Sequence, residues 1–174
     1  MDKQLPGTNK TYTGELPFEE FKKFIQATDG ISLAQVCSIS SLEPGTIQNW
    51  VKRGYVARPI KKKYYEKQVA RILLINSLRE AMKIEDIGKL MILINGDVED
   101  ESDDLLKEEE LYTIFAKIIY YLDDDVSKTI KQVLKKEKIN NKKLYLALET
   151  MVNAYIAGNH IKKSRKYLEE LINC

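Results

Sequence analysis

The sequence predicts an all-α protein with at most one short hairpin. Apolar residues recur at three- and four-residue steps along almost the whole 174-residue chain, which is the spacing of amphipathic helices. Residues that typically begin or end helices separate these stretches. With 44% hydrophobic and 31% charged residues, and only 8 glycines and 4 prolines, the composition is that of a folded globular chain. Fibrous and disordered classes are therefore excluded.

Five helices and one non-helical segment are expected in the first half of the chain. Pro17 and Pro44 suit first helical positions, and Ser32 is a cap residue. Gly54 is a typical helix stop. Residues 55–65, with β-branched and aromatic ends around a proline, predict a short hairpin or an extended loop. The helices are expected after Pro17, after Ser32, and over residues 44–54, 67–82 and 85–95.

Four amphipathic helices are expected in the second half. They are separated by Asp123–Asp125, Asn140-Asn141 and Gly158-Asn159, and such short breaks predict antiparallel packing into a small bundle. The three acids are expected to cap the helix that follows them rather than to hold a cation. The first of these helices carries apolar residues on nearly all sides, more than the bundle alone can cover. Either a second copy of the chain or the first domain of the same chain is expected to cover the rest.

An acidic segment divides the two halves. The stretch GDVEDESDD that begins at Gly96 has one apolar residue in nine and cannot fold on its own. We therefore expect a first domain over residues 15–95, an acidic linker over residues 96–103 and a helical domain over residues 104–174.

Several classes of function lack their usual signals. No apolar run approaches the roughly 18 residues of a membrane span, and residues 1–13 contain no secretory signal pattern, so we expect a cytoplasmic protein. Cys37 and Cys174 are not expected to form a disulfide. The single histidine, His160, has no partner at metal-ligand spacing, and no glycine-rich phosphate loop is visible. The sequence therefore predicts no metal, no cofactor and no enzymatic activity.

Charge is unevenly distributed, although the net charge is only +2. Residues 52–71 carry eight basic side chains and one acid, whereas residues 97–110 carry nine acids and one lysine. A local concentration of one sign attracts a partner of the opposite sign. The basic segment is therefore a candidate for binding a polyanion.

The predicted helix 44–54 has two different faces. At about 100° per residue, Ile47, Trp50 and Val51 fall on one arc. The opposite arc consists of side-chain types that contact base edges in the major groove of DNA. The expected base-contacting residues are Thr46, Gln48, Asn49, Lys52 and Arg53. An ordinary surface helix also has a polar face, so the helical wheel alone leaves both interpretations open.

The residues that follow this helix favour the DNA interpretation. In segment 55–65, basic residues alternate with proline and tyrosines, and flanking cations can neutralise phosphates beside the groove. Together with the short helix and tight break before residue 44, this is the spacing of a winged helix-turn-helix. The expected phosphate-contacting residues are Arg58, Lys61, Lys62, Lys63 and Tyr64.

Three stretches of sequence carry a resemblance to known families. They are ISLAQVCSISSLEPGTIQNWVKRGYV, a short connector ending in KKYY, and QVARILLINSLREAMKIEDIGKLM. Together, over residues 31–95, they resemble the winged helix-turn-helix of the MerR class, and more closely a small bacterial family of unknown function that carries this module. The tyrosine that ends the wing in that class would be Tyr64, and the phrase that opens its second following helix would be Ile84–Ile87. The resemblance implies DNA binding and transcriptional regulation, but neither a long dimerisation helix nor a cysteine metal sensor is expected to follow.

We therefore predict a sequence-specific binder of double-stranded DNA that regulates transcription as a homodimer, using helix 44–54 and wing 55–65. Residues 104–174 would mediate dimerisation, bind a small-molecule effector, or both. One alternative is a protein-interaction adaptor that docks its basic helix on an acidic partner. A second and weaker alternative is an enzyme acting on nucleic acid, for which no base, nucleophile or metal cage is visible.

Overall fold

The computed structural model describes residues 3–12, 17–96 and 105–174, which are predominantly helical. The helices of these residues are α1 (Pro17–Ala27), α2 (Leu33–Ser40), α3 (Pro44–Lys52), α4 (Glu66–Leu78), α5 (Ile84–Asn95), α6 (Glu108–Tyr121), α7 (Val126–Lys136) and α8 (Lys142–Ile172). The short strand β1 (Lys3–Gln4) pairs antiparallel with β2 (Thr11–Tyr12). In the same way, β3 (Ile31–Ser32) pairs antiparallel with β4 (Lys63–Tyr64). The prediction of a mainly α-helical fold is confirmed, although the β1–β2 hairpin is absent from it. Residues 97–103 of the predicted linker lie outside the described residues.

Helix α4 lies at the centre of the fold. Ten of its 13 residues are buried, and it is in contact with α1, α2, α5, α6, α8 and β4. The sequence explains this position, because four consecutive apolar residues at 72–75 leave the helix no face that favours water. As a result, buried apolar side chains on both sides of the predicted linker belong to one core.

A buried ion pair joins α4 to α6. Arg71 and Glu108 are each 2% exposed, and the Nε of Arg71 donates to Oε1 of Glu108 at 2.9 Å. The Nη2 of Arg71 donates to the same oxygen. Because a buried charge without a partner costs several kcal/mol, the two residues determine how α6 lies on α4.

One side chain of α4 connects the β1–β2 hairpin with the end of α2. Asn76 of α4 donates to the carbonyl oxygens of Gly7 at 2.8 Å and Ser40 at 2.9 Å. Gly7 has a φ of +72°, and a Cβ at this position would lie 2.1 Å from the carbonyl oxygen of Leu73. Position 7 therefore requires glycine. The C-terminal end of α2 is held against the central helix by the same amide.

Helix α6 is covered by other parts of the same chain. It contacts α1, α4, α7 and α8, and both Tyr112 and Phe115 are fully buried. The hydroxyl of Tyr112 donates to the carbonyl oxygen of Pro6, and burial raises the pKa of this phenol well above its ordinary value. The apolar excess of this helix is therefore covered within one chain by α1 and α4, which is the second of the two alternatives that its sequence leaves open.

Three helices, rather than the expected four, occupy the described residues after 104. The predicted break at Gly158-Asn159 is wrong, because both residues lie inside the 31-residue helix α8. Gly158 is buried, and a Cβ there would lie 3.1 Å from the Cβ of Glu80, so this glycine allows close packing instead of ending the helix. The described residues thus contain a long helix where two shorter ones are expected. Although α8 is long, neither it nor any other described helix is apolar enough to cross a membrane.

The acids before α7 cap this helix, as the sequence predicts. Asp125 is the N-cap residue, and its carboxylate accepts from the backbone N–H of Lys128 at 2.9 Å. The carboxylate of Asp123 accepts from the backbone N–H of Asp125 and from the hydroxyl of Thr129. These hydrogen bonds hold the pKa of Asp123 below its usual value. The start of α7 is thus satisfied by side chains of its own chain.

Removing one member of the Arg71–Glu108 pair is expected to cost far more stability than removing both. Arg71→Met leaves the Glu108 carboxylate buried without its partner and should lower the free energy of unfolding by about 3–5 kcal/mol. The double variant Arg71→Met/Glu108→Leu removes both charges and should recover most of this loss. Urea denaturation of the three proteins measures both effects. A double variant that is no more stable than the single one would contradict an electrostatic origin.

Candidate nucleic-acid interface

A turn of three residues joins α2 to α3. Ser41 leaves α2 in the left-handed conformation with a φ of 55°, and the next residue, Leu42, is buried. The other end of α2 begins with a capping box, in which Ser32 and Gln35 each accept a hydrogen bond from the other's backbone N–H. The capping box fixes the start of α2, and the turn with buried Leu42 fixes its end. Because this turn leads directly into α3, the start of α3 is fixed in position as well.

Helix α3 has the two faces that its sequence predicts. Ile47 is fully buried and Trp50 is 5% exposed. The exposed or half-exposed residues on the other side are Thr46, Gln48, Asn49 and Lys52. The helix ends at Lys52, two residues earlier than expected, and Gly54 follows with a φ of +78°. The polar side chains are thus available to a ligand that approaches this face.

A tight hairpin turn presents two lysines beside α3. Ile60 and Lys63 exchange two backbone hydrogen bonds of 2.9 Å. Lys61 and Lys62 lie between them, are exposed, and have φ values of 48° and 65°. A type I′ turn requires positive φ at both central residues, which lysine adopts at a conformational cost that glycine and asparagine largely avoid. Within segment 55–65, only residues 60–63 therefore form a hairpin turn. The strand β4 of this segment pairs with β3, which lies outside it.

An open cavity of about 700 Å³ lies between α3 and this hairpin. The predicted contact residues that line it with polar or cationic groups are Gln48, Lys52, Arg58 and Lys62. The apolar lining consists of Leu33, Val51, Pro59 and Tyr64, and no described acid takes part. In the part of the chain that the structure describes, Lys52, Arg58 and Lys62 form no ion pair. The cavity thus combines positive charge with hydrogen-bonding capacity, whereas Thr46 and Asn49 lie on the exposed face outside it.

Arg53, a predicted base contact, is held by neighbours. Its Nη2 lies 2.7 Å from Oε1 of Glu85 and 3.2 Å from the hydroxyl of Tyr55, and its guanidinium carbon is 4.9 Å from the centroid of that ring. The hydrogen bond to Glu85 raises the pKa of Arg53. A backbone hydrogen bond, and then the one from Arg53, lower the pKa of Glu85. Both side chains are largely exposed, so the net free energy of this pair is small.

Lys63 and Tyr64 are less available than the sequence predicts. The Nζ of Lys63 donates to the backbone carbonyl oxygens of Thr28 at 3.1 Å and Asp29 at 2.8 Å. Tyr64 is 3% exposed, and burial raises the pKa of its hydroxyl. A ring with so little surface cannot offer a phosphate much contact. A phosphate-contacting role does not fit this burial, and Tyr64 contributes to the cavity only as part of its apolar wall.

Two residues that shape this surface are missing from the predicted set. Glu85 and Tyr55 each form a hydrogen bond with Arg53. Glu85 lies 32 positions after Arg53 in the chain. Glu85 belongs to the phrase Ile84–Ile87, which the sequence marks only as the start of a helix. Its contact with Arg53 arises from tertiary packing, for which a single sequence contains no signal.

The family of the chain is shown by comparison with known proteins. Residues 24–115, more than half of the chain, match the family described as Domain of unknown function (DUF1836). The chain belongs to this family. It is also similar to the Uncharacterized protein YkrK of Bacillus subtilis (strain 168), with 28% identity over 93 residues that make up 51% of this chain and 40% of that protein. The aligned part therefore spans less than half the length of this relative. No solved structure matches.

The DUF1836 segment contains the entire candidate interface. It begins inside α1 and ends inside α6, so that it includes α3, the hairpin and Glu85. It also contains Arg71 and Glu108, the two members of the buried ion pair. The segment thus extends beyond the predicted linker into α6, the helix that packs on α4, and the chain after residue 115 lies outside it.

Glu85→Gln is expected to release Arg53 and to remove one negative charge beside α3. If duplex DNA binds at this face, its affinity should rise by no more than about fivefold, because an exposed ion pair contributes little net free energy. Fluorescence anisotropy with a labelled duplex measures the change. Asp86→Asn removes an equal charge from the neighbouring position and should have a smaller effect. Weaker binding by Glu85→Gln would instead identify the ion pair as one that positions Arg53 for contact.

Proposed function

We propose that the chain is a sequence-specific double-stranded DNA-binding protein of the winged helix-turn-helix type, and that it regulates transcription. The observation that carries this proposal is the acid-free cavity in which Gln48 and Lys52 of α3 meet Arg58 and Lys62 of the hairpin segment. A recognition helix placed in the major groove has its base-reading side chains on its outer face and cations beside it for the phosphates. Helix α3 and its neighbouring hairpin have this arrangement of chemical groups.

The exposed side chains of α3 suit base edges. Asparagine and glutamine pair with adenine, lysine and arginine donate to guanine, and threonine contacts the thymine methyl group. Asn49 and Gln48 are exposed neighbours, while Trp50 and Ile47 anchor the opposite side of the helix in the core. This anchoring keeps α3 from rotating about its axis, so the same side chains would always face the groove.

The hairpin suits the phosphate backbone. Lys61 and Lys62 occupy the two central positions of the turn, and Arg58 lies on its N-terminal side. Cations without a protein partner release counterions from DNA when they approach phosphates, which is the main source of sequence-independent affinity. We assign this role to the three residues and expect Lys63 to contribute less, since backbone carbonyls already hold it.

A regulator of this type usually reads two half-sites as a symmetric dimer. We therefore propose a homodimer acting in the cytoplasm, with a small-molecule effector bound by residues 105–174 as a further partner. The adaptor alternative uses the same cations to bind an acidic protein. Sequence preference distinguishes the DNA-binding proposal from the adaptor alternative. A surface built for an acidic protein would bind all duplexes with the same affinity, whereas a surface that reads bases binds some duplexes more tightly than others.

Asn49→Ala should weaken binding to the preferred duplex by about 1–3 kcal/mol and relax base preference at one position. Selection from a random pool supplies that duplex, and anisotropy titrations against single-base variants supply the preference. Asn153→Ala is the matched control, since it removes an exposed helical asparagine from α8 and should leave both quantities unchanged. An unaltered preference in Asn49→Ala would place base reading elsewhere.

Lys61→Asn/Lys62→Gly should remove two charges without disturbing the turn, because Asn-Gly is the pair that type I′ turns prefer. Affinity should fall alike for all duplexes, and the plot of log affinity against log salt should flatten by about 0.9 per lost contact in each protomer. Lys135→Ala/Lys138→Ala, at exposed positions near the end of α7, is the control of equal charge. A loss limited to the preferred duplex, with the slope unaltered, is the result that contradicts phosphate contact.

A further inference from the structure

A second open cavity lies where α7 ends and α8 begins, and we term it the α7–α8 cavity. Its volume is about 560 Å³. Exposed lysines supply its cationic lining, and no described acid takes part. The four lysines are Lys131, Lys135, Lys138 and Lys142. Residues 126–148 contain seven lysines and one acid, so the cavity lies in a basic segment that is separate from residues 52–71.

The positive charge of the cavity is not neutralised by its surroundings. Within the described ranges of the chain, none of the four lysines forms an ion pair. Of the neighbouring acids, Glu137 forms an ion pair of 2.6 Å with a lysine of α6. The carboxylate of Glu149 accepts from the hydroxyls of Ser127 and Tyr145. These hydrogen bonds, more than the charge of Lys131, lower the pKa of Glu149. The lysines are therefore available to an anion that enters the cavity.

The remaining lining is largely apolar. Leu134 is buried, while Ile139 and Tyr145 are half-buried, and all three line the cavity. The Nζ of Lys131 lies 5.8 Å from the centroid of the Tyr145 ring. Cationic and apolar lining thus adjoin each other, which suits a ligand with one charged and one apolar end.

Lys138 has an unusual backbone conformation for a lysine. It follows the C-cap residue of α7 and has a φ of 57°. The next N–H, of Ile139, donates to the carbonyl oxygen of Leu134 at 2.9 Å, and a helix that ends in this way usually has glycine at the position of Lys138. Lysine adopts this conformation at a cost that glycine avoids. The chain therefore has a cation here instead of the residue that suits the backbone best.

The lining favours a phosphate ester over other anions. Four cations around one cavity exceed what a single carboxylate needs, whereas a phosphate monoester carries nearly two negative charges and three acceptor oxygens. Lysine binds phosphate well as a compact charge. A DNA duplex suits the cavity less, because its phosphates are spread along a backbone and would leave the apolar wall without a contact.

We infer that the α7–α8 cavity binds a small phosphate ester, with the phosphate at the lysines and an apolar or aromatic group against Leu134, Ile139 and Tyr145. The cavity lies in the part of the chain to which the proposed function assigns an effector, so a regulatory role of this ligand rests on that proposal. The binding itself rests only on the lining of the cavity.

NMR titration of the full chain with naphthyl phosphate tests this inference. The backbone signals of Leu134, Ile139 and Asn140 should shift. Inorganic phosphate should bind about tenfold or more weakly, because it leaves the apolar wall in contact with water. Naphthol, which lacks the charge, should bind more weakly than naphthyl phosphate as well.

The cavity beside α3 also combines cations with apolar side chains, and the NMR signals distinguish the two sites. Shifts confined to the residues around α3 would overturn the inference. Equal affinity for naphthyl phosphate and inorganic phosphate would overturn it too, since the apolar wall would then have no part in binding. Equal affinity for naphthol would exclude the role of the lysines.

Lys138→Gly/Lys142→Gln should weaken the binding of naphthyl phosphate about tenfold, because two exposed charge contacts are lost. Thermal melting should show no loss of stability, since glycine suits the positive φ at position 138. Lys143→Gln is the matched control. Lys143 is the exposed neighbour of Lys142 in α8 but does not line the cavity, so its loss should change the affinity less than about twofold. Unaltered binding by the double variant, or an equal loss with Lys143→Gln, would contradict the assignment.

Duplex binding distinguishes a failure of this inference from a failure of the proposed function. Asn49→Ala should bind naphthyl phosphate as the unaltered chain does, and Lys138→Gly/Lys142→Gln should bind the preferred duplex with unaltered affinity. If the double variant instead lost affinity for duplex DNA, the occupant of these lysines would be nucleic acid, and the inference of a small phosphate ester would be wrong.

Discussion

Burial of α4 on all sides is the constraint from which the architecture follows. A helix without a solvent face can carry a charge only where another element supplies the opposite charge, and Glu108 of α6 supplies it for Arg71. Apolar residues of similar volume would satisfy the burial equally well, but they would accept α6 in several positions. We interpret the pair as a determinant of where α6 lies rather than of how strongly it is held. Through Asn76, the same central helix also holds the end of α2, and thereby the start of α3.

The candidate interface contains cations of two kinds. Lys52, Arg58 and Lys62 have no ion-pair partner among the described residues, whereas Arg53 is held by an acid of α5. Unpartnered cations attract a polyanion at long range, but a paired cation has to exchange one acceptor for another. Because an exposed ion pair contributes little net free energy, such an exchange is readily reversible. Helix α5 can therefore influence the face of α3 without contacting the ligand.

Much of the fold and part of the site follow from local sequence signals. The helical wheel of α3 places Ile47 and Trp50 in the core correctly, because burial there depends only on the period of one helix. The prediction fails where packing between distant segments decides the outcome. Gly158 resembles a helix stop but serves a close contact, and Tyr64 stands in a basic segment but fills the core. The ion pair of Arg53 belongs to the same group, since no local pattern connects residues 53 and 85.

The single core also bears on how segments of this chain can be exchanged between proteins. The family match ends at residue 115, in the middle of α6, whose buried face is covered partly by α7 and α8 from outside that segment. The unit that sequence comparison detects is thus smaller than the unit that folds. In a protein that carried only an equivalent of residues 24–115, the part of α6 that α7 and α8 cover in this chain would be exposed to water. Other residues would have to take the place of α7 and α8 to cover it. Related proteins can therefore share an equivalent of residues 24–115 while the helices that cover this segment differ from one protein to the next.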